Sequence, residues 1–258
     1  MLPRERIAAA IRQGVSGSEP ALVAFLTAGY PQRAQFRAHL AAVAEAADVV
    51  EIGVPFTDPM ADGMTIQRSS QEALRQGVTL QWIFDELTAM PRVRAPLLLM
   101  SYLNPLLSYG YARLAAVSVA AGVCGYIVPD LPLDESAALR AALDPDGIAL
   151  VQMVTPVTPA DRLARLCAAS QGFIYAVTMT GTTGHSAATP TGVLDYLARV
   201  RAAAKVPVCA GFGIRSRDQV ERLRGAVDGV VIGSALVEVL ERGESPQAWL
   251  GSLRRRTE

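Results

Sequence analysis

Histidine and cysteine are scarce in this chain, and their scarcity narrows the field first. Its 258 residues include two histidines and three cysteines. His39 falls within a helical stretch and reads as a surface residue, whereas His185 falls in a Thr-rich loop where it could meet a ligand. Cys124, Cys167 and Cys209 lie far apart, each among apolar neighbours. They form no metal-ligand spacing, and an odd number gives no disulfide framework. The expectation is reduced core thiols in a cytoplasmic protein, with metal-dependent hydrolysis unsupported. A Gly-x-Ser-x-Gly elbow is also missing, which sets a serine hydrolase aside. Charge of one sign is missing too: 24 basic and 24 acidic residues leave a net charge of zero. That removes the electrostatic case for nucleic acid or an anionic membrane. The basic run Arg254-Arg255-Arg256 reads as the solvated end of a last helix. No apolar run nears the roughly 18 residues of a membrane span. Met1 to Gly14, with Arg4, Glu5, Arg6 and Arg12, reads as an amphipathic helix and not as a signal peptide.

What the chain does have is aliphatic side chains. Hydrophobic types make up 51% and charged ones 19%, enough for a large core. Short aliphatic runs predict strands at Leu22–Thr27, Val49–Gly53, Pro96–Ser101, Gly125–Val128, Ala149–Val154, Phe173–Thr178, Pro207–Ala210 and Gly229–Ile232. They are near-continuous in hydrophobicity, as parallel strands covered on both faces should be. Helical patterns lie between them near 34–46, 64–75, 80–89, 111–120, 134–143, 159–168, 193–203 and 216–224, with one or two more after Gly233. Such alternation, without linkers, predicts one α/β domain over 1–258, a closed (β/α)8 TIM barrel with an extra N-terminal helix. An open doubly wound sheet is the alternative. Two loops that follow strands are long, 54–63 and 179–192, and long loops on a barrel's working face are often lids.

The chemistry-bearing residues collect after the strands. Gly211-Phe212-Gly213-Ile214-Arg215-Ser216 follows the seventh and Gly233-Ser234 follows the eighth, where barrels often bind phosphate through backbone N–H groups and a helix N-terminus. The competing reading is that these glycines only make tight turns. A dinucleotide fingerprint is rejected, because Ser216 stands where its third glycine belongs and no acid follows at the required distance. Glu51 sits inside the second strand, where burial without a cation would raise its pKa and suit it to general acid or base work. No Lys or Arg appears at a neighbouring strand end to pair with it; nearby loops offer Tyr102 and Thr183. The plain alternative for Glu51 is a satisfied interior carboxylate. Asp62 reads equally as a helix N-cap and Asp58 as a turn former, and Asp58 to Asp62 makes a poor calcium loop because Pro59, Met60 and Ala61 bring no side-chain oxygens.

Taken together, Glu51-Ile52-Gly53-Val54-Pro55-Phe56-Thr57-Asp58-Pro59-Met60-Ala61-Asp62-Gly63 closely resembles the signature of the tryptophan synthase alpha subunit family. So do Phe25-Leu26-Thr27-Ala28-Gly29-Tyr30-Pro31, Tyr102-Leu103-Asn104-Pro105, Val128-Pro129-Asp130-Leu131-Pro132 and the two late glycine turns. The resemblance implies a (β/α)8 lyase of tryptophan biosynthesis that cleaves indole-3-glycerol phosphate by a retro-aldol reaction to indole and glyceraldehyde 3-phosphate, with no cofactor of its own. It implies that Glu51 is the acid/base, that Asp62 accepts the indole N–H, and that Thr183 meets Asp62 from the lid. Gly184, Gly213, Gly233 and Ser234 would cradle the phosphate, and Phe25, Met100, Tyr102, Pro129, Met153, Tyr175 and Phe212 would line the indole pocket. Pro55, Phe56, Asp58, Pro59, Asn104, Asp130 and Pro132 would face a beta subunit carrying pyridoxal phosphate, in an assembly of two alpha and two beta chains. The lid departs from the family pattern, with Thr182 and His185 where Val and Ala are usual. The alternatives are a stand-alone indole-releasing lyase, a weakly active regulatory partner of a beta subunit, and another phosphate-sugar barrel. No lysine lies in the proposed strands, which argues against a Schiff-base aldolase.

Overall fold

The structure is a computed structural model that describes residues 1–15, 19–178, 192–211 and 213–254. Eight parallel strands close into a barrel in sequence order: β1 (Ala21–Thr27), β2 (Val49–Gly53), β3 (Leu97–Met100), β4 (Val123–Ile127), β5 (Ala149–Val154), β6 (Ile174–Val177), β7 (Val208–Gly211) and β8 (Gly229–Ile232). The helices are α1 (Pro3–Gly14), α2 (Phe36–Ala46), α3 (Met64–Arg75), α4 (Leu80–Ala89), α5 (Leu103–Tyr109), α6 (Tyr111–Ala121), α7 (Ala137–Leu143), α8 (Ala160–Ala169), α9 (Val193–Ala203), α10 (Arg217–Arg222), α11 (Ser234–Glu241) and α12 (Pro246–Leu253). No described helix is long and apolar enough to cross a membrane.

Strand periodicity explains the near-continuous apolar runs. Leu22, Ala24, Leu26, Val50 and Ile52 pack outward in one core with the helices. Their neighbours Ala21, Val23, Val49, Leu98, Val151, Tyr175, Cys209 and Val231 form a second core inside the barrel. Both faces are buried, so both must be apolar. Glu51 follows Val49 by two positions and therefore takes the inner face. In the register it stands between Phe25 on β1 and Leu98 on β3.

The N-terminal helix decides which end of the barrel is open. Ile7 and Ile11 of α1 are fully buried with the inner core, and the Arg4 N–H donates to the Gly147 carbonyl before β5, at 2.9 Å. The end where the strands begin is thus plugged, which leaves the opposite end, with its longer loops, for ligand entry.

Several expectations need correction. Tyr102 to Pro105 had the look of a loop, yet α5 begins at Leu103. Pro105 lies in its first turn, where a missing N–H costs nothing, and the free N–H of Leu103 is taken by Asp130 Oδ1 at 2.9 Å. Strand β4 starts two residues before the expected Gly125, and its pairing with β3 shifts register beside Cys124. His39 is half-buried, with a buried Nδ1 that has no partner among the described residues and a pKa lowered by burial, so it is not a plain surface residue. Arg254 is no solvated tail residue either: its guanidinium bonds Asp48 Oδ2 at 2.6 Å, and the same oxygen accepts the Leu22 N–H at 2.8 Å. Arg255 and Arg256 lie outside the described residues. Cys124, Cys167 and Cys209 are all buried and free.

Candidate active site

At the open end, one slot is lined by Phe25, Glu51, Asp62, Gly63, Ile66, Met100, Tyr175, Gly213, Ile214, Arg215, Val231, Gly233, Ser234 and Ala235. Most of its lining is apolar or glycine, with Glu51, Asp62, Tyr175, Arg215 and Ser234 as the polar side chains. Glu51 lines the slot and is 1% exposed, and its Oε1 has no hydrogen-bond partner among the described residues. Burial alone pushes its pKa up to about 8, because a carboxylate without cation or donors is strongly disfavoured in such surroundings. Across the barrel Tyr175 and Cys209 feel it: both are held well above their ordinary values, by burial first and by the Glu51 charge next.

Asp62 reaches the slot from the loop after β2. That loop has a small scaffold of its own. The Phe56 ring stacks on Tyr102 at 5.2 Å between centroids. The Tyr102 hydroxyl accepts from the Ala61 N–H at 2.8 Å and donates to Asp62 Oδ2 at 3.1 Å. Burial raises the Asp62 pKa to about 6, with the Tyr102 hydrogen bond pulling the other way. Asp62 is not the N-cap of α3. Gly63 occupies that position, so the Asp62 side chain is free to turn toward Tyr102.

The third component is an anion cradle. Gly213 has a φ of +77°, a left-handed conformation that a residue with a Cβ resists. Gly233 precedes α11, and its carbonyl accepts the N–H groups of Leu236 and Val237. Ser234 and Ala235, the first residues of α11, line the slot, and the first N–H groups of a helix have no partner within the helix itself. A helix N-terminus with free donors attracts an anion. Gly211 matters by closeness: a Cβ there would come within 2.5 Å of the Tyr175 hydroxyl.

The structure thus gathers Glu51, Asp62, Phe25, Met100, Tyr175, Gly213, Gly233 and Ser234 around one cavity. Tyr102 holds Asp62 without lining the slot. Pro129 and Met153 are not among its described lining residues, although Met153 packs with the same inner core as Met100 and Tyr175. Thr183 and Gly184, the loop 179–191 that holds them, and Phe212 lie outside the described residues. Among the residues expected at a partner surface, Asp58, Asn104 and Pro132 are exposed, Phe56, Pro59 and Asp130 are half-buried, and Pro55 is buried beneath the loop. Asp130 already serves α5, which ties two loops of that face together. Ile66, Val231 and Ala235 line the slot without a role expected from sequence, and Ile214 and Arg215 line it from within the late glycine motif, where sequence alone assigned their side chains no role of their own. Val231 could have been found by strand alternation from Gly229, and Ile214 and Arg215 by their place after the glycine turn.

Comparison with known proteins agrees with this geometry. The family model described as tryptophan synthase alpha chain matches residues 12–254. The tryptophan synthase alpha chain of Nitratidesulfovibrio vulgaris (strain DP4) is 45% identical over 240 residues, 92% of this chain and 93% of that one. The same protein of Geobacter sulfurreducens is 42% identical over 239 residues, 92% of this chain and 90% of that one. Among solved structures, a chain of Mycobacterium tuberculosis tryptophan synthase superposes with a TM-score of 0.88 at 34% identity, covering 96% of both chains. A slot with a buried carboxyl and a backbone anion cradle, in a barrel matched nearly end to end by these relatives, places the chain in the tryptophan synthase alpha chain family.

Proposed function

We propose that the chain cleaves indole-3-glycerol phosphate to indole and glyceraldehyde 3-phosphate. The observation that carries this reading is the buried Glu51 carboxyl, its Oε1 without a partner among the described residues, in one cavity with Asp62 and the two glycine turns; with its pKa pushed up to about 8 it holds its proton at neutral pH. The turns and the α11 N-terminus hold the phosphate, and the apolar walls of Phe25, Met100 and Tyr175 take the indole. Glu51 gives its proton to the indole C3, and Asp62, largely ionised at pH 7, accepts the indole N–H and stabilises the positive charge that spreads onto the ring. Glu51, now a carboxylate, takes the proton of the adjacent glycerol hydroxyl. The aldehyde forms, the C–C bond breaks, and its electron pair returns to the ring. One proton moves from oxygen to carbon in total and Glu51 ends as it began, so the chemistry calls for no cofactor of the chain's own.

Two carboxyls with separated pKa values assign acid and base roles. The active form needs Asp62 ionised and Glu51 protonated. The profile of kcat/KM, which reports the free enzyme, is expected to rise through about pH 6 and fall through about pH 8. The substrate phosphate also titrates near pH ~6, so the alkaline limb is the diagnostic one. Indole release followed by absorbance or chromatography from pH 5 to 10 checks it. A profile flat through pH 8 would remove Glu51 as the proton donor, and no indole at any pH would remove the lyase reading.

We also propose a beta-subunit partner on the slot face, two alpha chains assembling with two beta chains, with pyridoxal phosphate carried by the beta chain. Exposed Asp58, Asn104 and Pro132 and the apolar Met60 and Leu107, 78% and 53% exposed, support it. Turnover with and without a beta subunit distinguishes a coupled enzyme from one acting alone.

A further inference from the structure

The cavity carries one cationic side chain among its described lining residues, and that side chain is outside the chemistry above. Glu51 and Asp62 bring two carboxyls to the wall; against them stands Arg215, next to Gly213 and Ser234. Its backbone is fixed, the Arg215 N–H donating to Gln219 Oε1 at 2.6 Å and the Ser216 N–H to the same oxygen at 3.1 Å. Its guanidinium is held by Glu238 of α11, whose other carboxylate oxygen accepts from Thr65 Oγ1 at 3.2 Å. Glu238 follows Ser234 by four residues, so the two side chains share a helix face about 6 Å apart. The guanidinium is therefore stationed one helical turn from the first N–H groups of α11. Half-exposed, with 52% of the arginine side chain accessible, this pair adds little to stability. The fold gives no strong reason for an arginine here, and the ligand does. A helix N-terminus supplies roughly half a positive charge, too little to balance a phosphate dianion approaching the ionised Asp62.

We propose that Arg215 is a binding residue for the phosphate end of the substrate, kept beside the cradle by Glu238 as its positioning residue. This rests on the proposed phosphate-bearing substrate. When the dianion docks on the N–H groups of Ser234 and Ala235, Arg215 turns part of its fork from Glu238 to a phosphate oxygen. The fork has donors enough for both acceptors.

Calorimetric titration with glycerol 3-phosphate and with uncharged 3-(indol-3-yl)propanol tests this on the wild type, Arg215→Ala, Arg215→Lys and Glu238→Gln. A charge-assisted hydrogen bond lost from a rim site should weaken glycerol 3-phosphate about tenfold in Arg215→Ala. The same loss should fall on KM, with kcat kept within about twofold. Binding of the uncharged probe should not change, and Arg215→Lys should regain part of the loss. Glu238→Gln keeps an oxygen that accepts from the guanidinium and loses only the competing charge, so it should bind glycerol 3-phosphate at least as well as the wild type. A merely structural pair would weaken both probes in both variants, and that result, or undiminished phosphate binding by Arg215→Ala, overturns the proposal. The titration needs no turnover. Arginine-dependent binding without indole release would sink the lyase reading alone, and indole release with Arg215→Ala unaffected would sink this inference alone.

Discussion

Glu51→Gln is expected to release indole at least ~10²-fold more slowly than the wild type, with a KM for indole-3-glycerol phosphate close to unchanged. Glutamine copies the shape of the acid but has no proton to give the indole C3 and no carboxylate to take the hydroxyl proton back. The rest of the slot is untouched by the substitution: the cradle still grips the phosphate and Phe25, Met100 and Tyr175 still enclose the ring. Loss confined to kcat is the mark of an interaction made in the transition state and not in the ground state. Steady-state kinetics of the purified variant decide it. Near wild-type kcat would hand the proton transfer to another group, and Asp62 and Tyr175 line the same slot.

Glu51 was legible in the sequence because a carboxylate within an apolar run contradicts its surroundings, and such contradictions cluster at functional sites. The barrel was legible because aliphatic runs and helical patterns alternate with few breaks, and the phosphate cradle because its glycines stand after the last two strands. What sequence hid was contact between residues far apart in the chain. Nothing local says that Asp62 turns to Tyr102, forty residues away, or that Asp130 satisfies the start of α5. Pro105 disguised that helix, because proline breaks a helix interior but is harmless in a first turn. His39 and Arg254 misled for the same reason: a polar side chain on a helix or tail looks solvated until another element packs over it. Arg215 stood within the late glycine motif, but its side chain had no role there, since only the fold sets it beside Ser234.

The same carboxyl should make the wild type lose stability as pH rises. An ordinary glutamic acid in the unfolded chain titrates near 4.5, whereas in the folded protein Glu51 keeps its proton up to about 8. Below the lower value both states are protonated and Glu51 contributes nothing. Between the two values the folded state holds a proton that the unfolded state has released, so raising the pH favours unfolding by about 1.4 kcal/mol per unit. Above about pH 8 both states are ionised and the loss stops growing. Its full size is on the order of 3–5 kcal/mol, a large fraction of a typical domain's stability. Asp62, raised from 3.8 to about 6, adds a smaller loss of the same sign at lower pH. Glu51→Gln removes the first contribution and keeps the second. Urea unfolding of the wild type and the variant across pH 4 to 9 should therefore give curves that separate steadily between pH 5 and 8, with the variant gaining on the wild type. Parallel curves would mean that Glu51 ionises normally in the folded protein, and an acid that is ionised at neutral pH could not start the reaction by giving up a proton. A stability measurement made without substrate thus tests the premise of the catalytic step.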